Sequence, residues 1–252
     1  MPRYALMLEY DGSAYVGWQR QDNGPSVQAI LEDAAARLAG GAPVECIAAG
    51  RTDAGVHAEA QVAALELARE LLPATLREAL NFHLKPHPVV VLRAALAPPG
   101  WHARFSAIGR GYRYRILNRR PRPALLAGRA WHVQAPLDAA AMQAAAQSLL
   151  GSHDFTSFRA AACQAKSPLR TLDRLEVSRV GEIVEIVAEA RSFLHHQVRN
   201  IVGTLKLVGD GRWEVPRVAA VLAARDRRVA GPTAPAEGLC LTSVRYAVDP
   251  FA

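Results

Sequence analysis

From Arg3 to Tyr10 the chain is rich in apolar and aromatic residues and ends at Asp11-Gly12, which predicts a strand entering a turn. Pro25-Ser26 then opens a helical pattern. Val27, Ile30, Leu31, Ala34 and Leu38 recur at helical spacing until Gly40-Gly41 stops them. Glu45–Ala49 and Gln61–Leu67 are strand candidates, Pro73–Phe82 a second helix and Val89–Ala95 a further strand. After Pro98-Pro99-Gly100, Tyr112–Leu117 alternates aromatic or apolar residues with arginine, the pattern of a half-buried strand with one basic face. Asp138 suits the N-cap of an Ala-rich helix running to Leu150 and stopped by Gly151. Leu175–Val180 and Ile183–Ala190 flank Gly181-Glu182 as a hairpin. Val198, Ile201, Val202 and Leu205 mark another helix, Val215–Ala224 a short one and Leu239–Tyr246 a closing strand.

These elements predict a mixed α+β chain. Strands do not alternate strictly with helices, so a plain doubly wound parallel sheet is excluded. The 252 residues suffice for one large domain or two modest ones. The Pro-Pro-Gly punctuation divides them into 1–100 and 101–252. Cys46, Cys163 and Cys240 are isolated and odd in number, which argues against a disulfide framework or a cysteine zinc site and fits a reducing cytoplasm. The N-terminus lacks the apolar core of a signal peptide, and no uncharged apolar run is long enough to span a bilayer. No membrane partner is expected.

Charge adds a polyanion to the picture. The formal net charge is +7, and from Ala79 to Leu137 there is no Asp or Glu, while that stretch carries one lysine and nine arginines. Arginine is the cation suited to phosphate forks. Trp101, Phe105, Tyr112, Tyr114 and Trp131 are interleaved with it, a composition that grips phosphate and stacks bases. Nucleic acid is the partner this asymmetry favours.

The most chemical stretch is Gly50-Arg-Thr-Asp-Ala-Gly-Val-His57. Glycines permit a tight turn and close approach of a ligand, and loops at strand ends collect catalytic groups. Asp53 could act as nucleophile or general base. Arg51 could hold its charge or bind phosphate. The plainer alternative is a polar turn in which Asp53 caps a local N–H. His195 and Arg199 share a helix face. His195-His196 lacks the third ligand and the adjacent Glu of a zinc site, so no metal is expected and these histidines read as structural or RNA-facing. There is no GxSxG, Walker A or GxGxxG pattern, so neither serine hydrolysis nor a nucleotide cofactor is expected.

Six blocks then make the chain recognisable. Glu9-Tyr-Asp-Gly-Ser-Ala-Tyr-Val-Gly-Trp-Gln-Arg-Gln21 resembles the opening motif of the tRNA pseudouridine synthase A family, and Gly50–His57 resembles its catalytic motif. His102-Ala-Arg-Phe-Ser106 with Tyr112-Arg-Tyr114, Asp154–Arg159, Phe193–Gly203 and Ala236-Glu-Gly-Leu239 resemble four more, in family order over nearly the whole chain. The resemblance implies two similar α/β subdomains with mixed, largely antiparallel sheets flanked by helices, and a central basic cleft. It implies a homodimer without cofactor. The implied activity is isomerisation of uridine to pseudouridine at positions 38, 39 or 40 in the anticodon arm of tRNA. Residue by residue, Asp53 resembles the catalytic aspartate and Arg199 its basic partner. Arg51 is similar to a residue that contacts RNA and assists base flipping. Tyr112 is similar to a tyrosine that stacks on the target base. Arg104 resembles a tRNA contact, as do Trp101, His102 and Phe105 around it, Arg120 in the basic run, and the segment of Gln164 and Lys166. Leu239 is a candidate wall for the departing uracil, with plain core packing as the alternative.

The chemistry suits these residues. The target base must leave the stack, at a cost of a few kcal/mol. A tyrosine face returns roughly 1–3 kcal/mol by stacking. A carboxylate can attack C1′ or remove a sugar proton to give a glycal-like intermediate. Three competing expectations are a synthase for another RNA, a non-catalytic RNA-binding or folding factor on the same scaffold, and a hydrolase using Asp53 as base.

Overall fold

The computed structural model describes all 252 residues. They form two compact units: Met1–Arg110 together with Cys240–Ala252, and Gly111–Leu239.

In the first unit, β1 (Arg3–Tyr10) lies antiparallel to both β3 (His57–Glu66) and β4 (Val89–Leu96). β2 (Cys46–Ala48) pairs antiparallel with β3, and β10 (Leu239–Tyr246) runs parallel to β3, with Cys240 opposite His57. Side chains alternate across a strand. On one face of β1, Ala5 and Met7 pack with Val62, Ala64, Trp101, Ala103 and Phe251. The alternate residues Tyr4, Leu6 and Leu8 are fully buried on the other face. Two amphipathic helices, α1 (Val27–Leu38) and α2 (Pro73–Leu84), bury Leu31, Leu76, Leu80 and Leu84. The Ser26 hydroxyl accepts from the Ala29 N–H and so caps α1, and Pro73 opens α2 where no N–H is needed.

The second unit contains the rest of β5 (Ala107–Asn118), with β6 (Trp131–Val133), α3 (Ala139–Ala146), β7 (Gly151–Asp154), β8 (Leu169–Val180), β9 (Ile183–Ala190), α4 (Gln197–Gly209) and α5 (Arg217–Ala224). Its strand order is β5-β9-β8-β7, with β6 parallel to β5. β7–β8 and β8–β9 are antiparallel, so the sheet structure of the chain is mixed and largely antiparallel. Buried α4 is held through Asn200. Its amide donates to the Phe158 carbonyl at 2.9 Å, and its carbonyl oxygen accepts from Thr233 at 2.6 Å and Arg227 at 3.1 Å.

The division differs from one at residue 100. The turn after Gly100 is fastened to the first unit: the Trp101 carbonyl accepts from Arg3 and the Ala103 carbonyl from the Tyr246 hydroxyl. β10 returns to that unit because its backbone pairs with β3. Within the elements, α3 stops at Ala146 and tightens into a 3-10 turn over Gln147–Leu149, short of a single helix to Leu150. β3 begins at His57, four residues before Gln61, and β5 extends past Tyr112–Leu117 at both ends. The short strands β6 and β7 carried too few residues to give a period.

Gly203 in α4 has no space for a methyl group: a Cβ there would lie 1.8 Å from the Pro232 carbonyl oxygen. Gly203→Ala should therefore destabilise the protein by roughly 1–3 kcal/mol through overpacking. Urea unfolding followed by circular dichroism measures this, and an unchanged midpoint would contradict the packing described.

Candidate active site

The residues between β2 and β3 form a loop clamped from several sides. At its root, the Ala49 N–H donates to the Val62 carbonyl at 2.7 Å, and the Gly50 carbonyl accepts from the Gln61 amide at 2.8 Å. In its middle, the Thr52 hydroxyl lies 2.8 Å from the Tyr10 hydroxyl and the Thr52 carbonyl accepts from the Trp18 N–H at 3.0 Å. At its far end, the Val56 N–H closes a turn onto the Asp53 carbonyl at 3.1 Å, and the Gly55 N–H donates to the Tyr15 carbonyl. The Gly12 N–H lies 3.1 Å from His57 Nδ1, and Asp11 Oδ1 lies 3.2 Å from the same nitrogen. Asp53 sits half-buried at the crest, beside exposed Arg51 and buried Thr52.

The motif from Glu9 to Gln21 is thus the cradle of the Asp53 loop. Two of its glycines are required for that contact. A Cβ on Gly12 would stand 2.0 Å from the Val56 carbonyl oxygen. A Cβ on Gly17 would stand 2.8 Å from the Thr52 carbonyl oxygen, and Gly17 also has φ +113°, which L side chains rarely adopt. Tyr10, Gly12, Gly17 and Thr52 lie inside two of the motifs the sequence singles out, but none of them, nor Gln61, bears a catalytic group. Their signal is the pairing of two glycine-bearing motifs, legible only once β1 and β3 are known to be neighbours.

The turn from Trp101 to Ser106 belongs to the same unit. Trp101, expected to face RNA, is 4% exposed and packs at 5.2 Å against the Tyr246 ring. It is a core residue that anchors the turn. His102 is half-buried: its Nδ1 accepts from the Arg104 and Phe105 N–H groups, and its ring lies 4.4 Å from that of Phe105. Arg104 is exposed. Phe105 is 74% exposed, with the Arg104 guanidinium 5.8 Å from its ring centroid. An open aromatic face beside a cation is a platform for a base.

In the second unit, Tyr112 on β5 is half-buried and meets Phe193 edge to face at 5.3 Å. Arg199 on α4 is tied twice to Ala234: its Nε donates to the Ala234 carbonyl at 2.8 Å, and its own carbonyl accepts from the Ala234 N–H. Tyr114, next but one to Tyr112, donates to the Pro235 carbonyl, and its phenol pKa is raised by burial and partly relieved by Arg199. Leu239 is 5% exposed at the start of β10. Arg120, Gln164 and Lys166 lie on exposed loops.

The acid-free stretch of sequence is not an acid-free surface. Arg113 and Arg115 both lie 3.5 Å from Glu185, and Arg119 pairs with Glu182 at 2.9 Å. These acids come from the hairpin strand β9 and the turn before it. Arg93 is held by the Phe251 carbonyl and ring. Arg104, Arg120, Arg122 and Arg129 are exposed.

Comparison with known proteins gives the family. A family model described as tRNA pseudouridine synthase matches residues 6–106 and 145–247. The chain belongs to the tRNA pseudouridine synthase family. Pseudouridine synthases are isomerases, which sets the enzyme class. Among its relatives is a tRNA pseudouridine synthase A of Acidiphilium cryptum, 69% identical over 252 residues, which covers 100% of this chain and 99% of that protein. The enzyme of the same name from Rhodospirillum centenum is 63% identical over 246 residues, 98% of this chain and 100% of its own. That of Paramagnetospirillum magneticum is 61% identical, covering 99% of this chain and 97% of its own. Arg51, Asp53, Arg104, Arg199 and Leu239 fall within the matched stretches, whereas Tyr112 and Arg120 fall between them.

Two consequences are testable. Gly17→Ala should displace Thr52 and with it Asp53, and a displacement near 1 Å can cost on the order of 10²-fold in kcat. Single-turnover kinetics with tRNA would show this loss with tRNA affinity unchanged; normal kcat would refute the cradle's role. Separately, burial pushes the Tyr10 phenol from 10.0 up to about 12. A folded-state pKa raised in this way leaves stability intact below pH 10 and lowers it as pH rises toward 12, because the unfolded chain releases the proton first. Urea unfolding across that window should show a shallower alkaline decline for Tyr10→Phe than for wild type. Parallel declines would exclude Tyr10 as a contributor.

Proposed function

We propose that this chain converts uridine to pseudouridine at one or more of positions 38, 39 and 40 in the anticodon arm of tRNA, with Asp53 as the catalytic carboxylate. The observation that carries the proposal is the clamped loop. It presents Asp53 on a backbone held at the root, middle and far end, as preorganised catalysis requires.

The reaction breaks the N1–C1′ bond, turns the uracil and joins C5 to C1′. C5 loses its proton and N1 gains one, so the change is redox-neutral and balanced without a cofactor. Asp53 serves either by attacking C1′ or by taking a sugar proton. Both routes need the ionised carboxylate, and Arg199 is the basic partner in the reaction. Arg51, exposed next to the loop crest, holds phosphate or fills the space of the flipped nucleotide. Tyr112, steadied edge-on by Phe193, receives the base face. Arg104 and Phe105 form a phosphate and stacking contact, supported by the turn that His102 caps. Arg120, Gln164 and Lys166 contribute further RNA contacts. Leu239 confines the detached uracil. The working form is a cytoplasmic homodimer.

The test is tritium release from tRNA labelled at uridine C5, with wild type beside Asp53→Asn. Release by wild type that maps to the anticodon arm, and none by a folded mutant, is the expected result. Release from the mutant would remove Asp53 from the mechanism, and label lost from other uridines would move the substrate site.

A further inference from the structure

The Arg110 guanidinium touches two parts of the first unit that are far apart in sequence. Its Nη2 donates to the Ala49 carbonyl at 2.7 Å, the last peptide before Gly50 opens the Asp53 loop. The same nitrogen donates to the Arg104 carbonyl at 3.0 Å, and Nη1 donates to the Ala107 carbonyl at 3.3 Å. Arg104 lies in the exposed turn with Phe105. The neighbouring carbonyl, Ala103, is held by the Tyr246 hydroxyl at 2.7 Å. Arg110 Nε lies 4.0 Å from where a side chain on Gly50 would begin, so the guanidinium rests directly on the loop's first residue.

We infer that Arg110 is a positioning residue: it fixes the RNA-contacting turn at Arg104 to the root of the Asp53 loop, so that tRNA engaged by the turn is registered against the carboxylate. This rests on the reading of Asp53 and Arg104 given above. The physical basis is the planar fork. Guanidinium offers five donors in a rigid geometry, and carbonyl oxygens held by a cation make stronger hydrogen bonds than neutral pairs. A lysine ammonium is a point donor on a flexible stem and cannot hold several carbonyls in one plane. The sequence hid this role, because Arg110 is one of nine arginines in an acid-free run and reads there as one more phosphate contact.

The experiment measures tRNA binding and single-turnover rate for Arg110→Met, Arg110→Lys, Arg104→Ala and the Arg104→Ala/Arg110→Met double variant, with Asp53→Asn alongside. Arg110→Met should lose on the order of 10²-fold in rate, as for a loop displaced by about 1 Å, with tRNA affinity unchanged. Arg110→Lys should be intermediate in rate, and carries the test if Arg110→Met fails to fold. Arg104→Ala should weaken binding at normal rate, and because Arg110 holds the main-chain carbonyl of residue 104, which alanine keeps, the double variant should combine the binding loss of one change with the rate loss of the other. Weakened binding by Arg110→Met at normal rate would make Arg110 a direct phosphate contact and overturn the inference. A lower melting temperature with normal rate would make it merely structural and overturn it equally. An active Asp53→Asn would instead sink the underlying reading of the loop, whatever Arg110 does.

Discussion

The close approach of two backbones underlies the rest of the first unit. The segment after β1 and the loop before β3 meet so tightly that Gly12 and Gly17 have no room for a side chain against Val56 and Thr52. Hydrogen bonds then fill the seam: Trp18 to Thr52, Gly55 to Tyr15, Gly12 to His57, and the buried hydroxyl pair of Tyr10 and Thr52. Buried polar groups must find partners, so the seam specifies one arrangement of the loop. Asp53 inherits that arrangement, because its neighbours on both sides are committed.

This places the cost of ordering the Asp53 loop in the scaffold. A loop that had to be ordered on each turnover would lose roughly 1–2 kcal/mol per residue of backbone freedom during the reaction. Here that ordering belongs to folding, where the sheet and the Trp101–Phe251 core face offset it. The second unit follows the same logic with different chemistry. Asn200 on α4 gathers Phe158, Arg227 and Thr233, and so holds the turn of helix that carries Arg199. In both units a buried polar residue without catalytic chemistry sets the position of a charged one.

Much of the fold was legible from periodicity. The limits of β1, α1 and β10 coincide with the patterned segments, since each has a full period of apolar positions and a glycine, serine or proline at an end. The early start of β3 at His57 was not legible, because its register comes from pairing with β1 and β10 and not from its own pattern. The Asp53 loop was visible as a glycine-rich motif. Its cradle was not, because Gly12 and Gly17 lie some forty residues away and the contact exists only in three dimensions. Trp101 misled for the opposite reason: an aromatic beside arginines has the composition of an RNA platform, while its surroundings make it core. The acid-free stretch misled in part, since β9 and its turn supply Glu185 and Glu182 to its arginines.

The central claim is that the Asp53 loop is preset before RNA arrives. Amide hydrogen exchange on the free protein tests it most directly at Gly12, Trp18 and Gly55, whose N–H groups form the seam. The account predicts protection approaching that of β1 and β3 amides, since opening the seam would need to unseat the sheet beside it. Exchange at the rate of an unstructured loop, with protection gained only on adding tRNA, would contradict it and make the loop's order a product of binding.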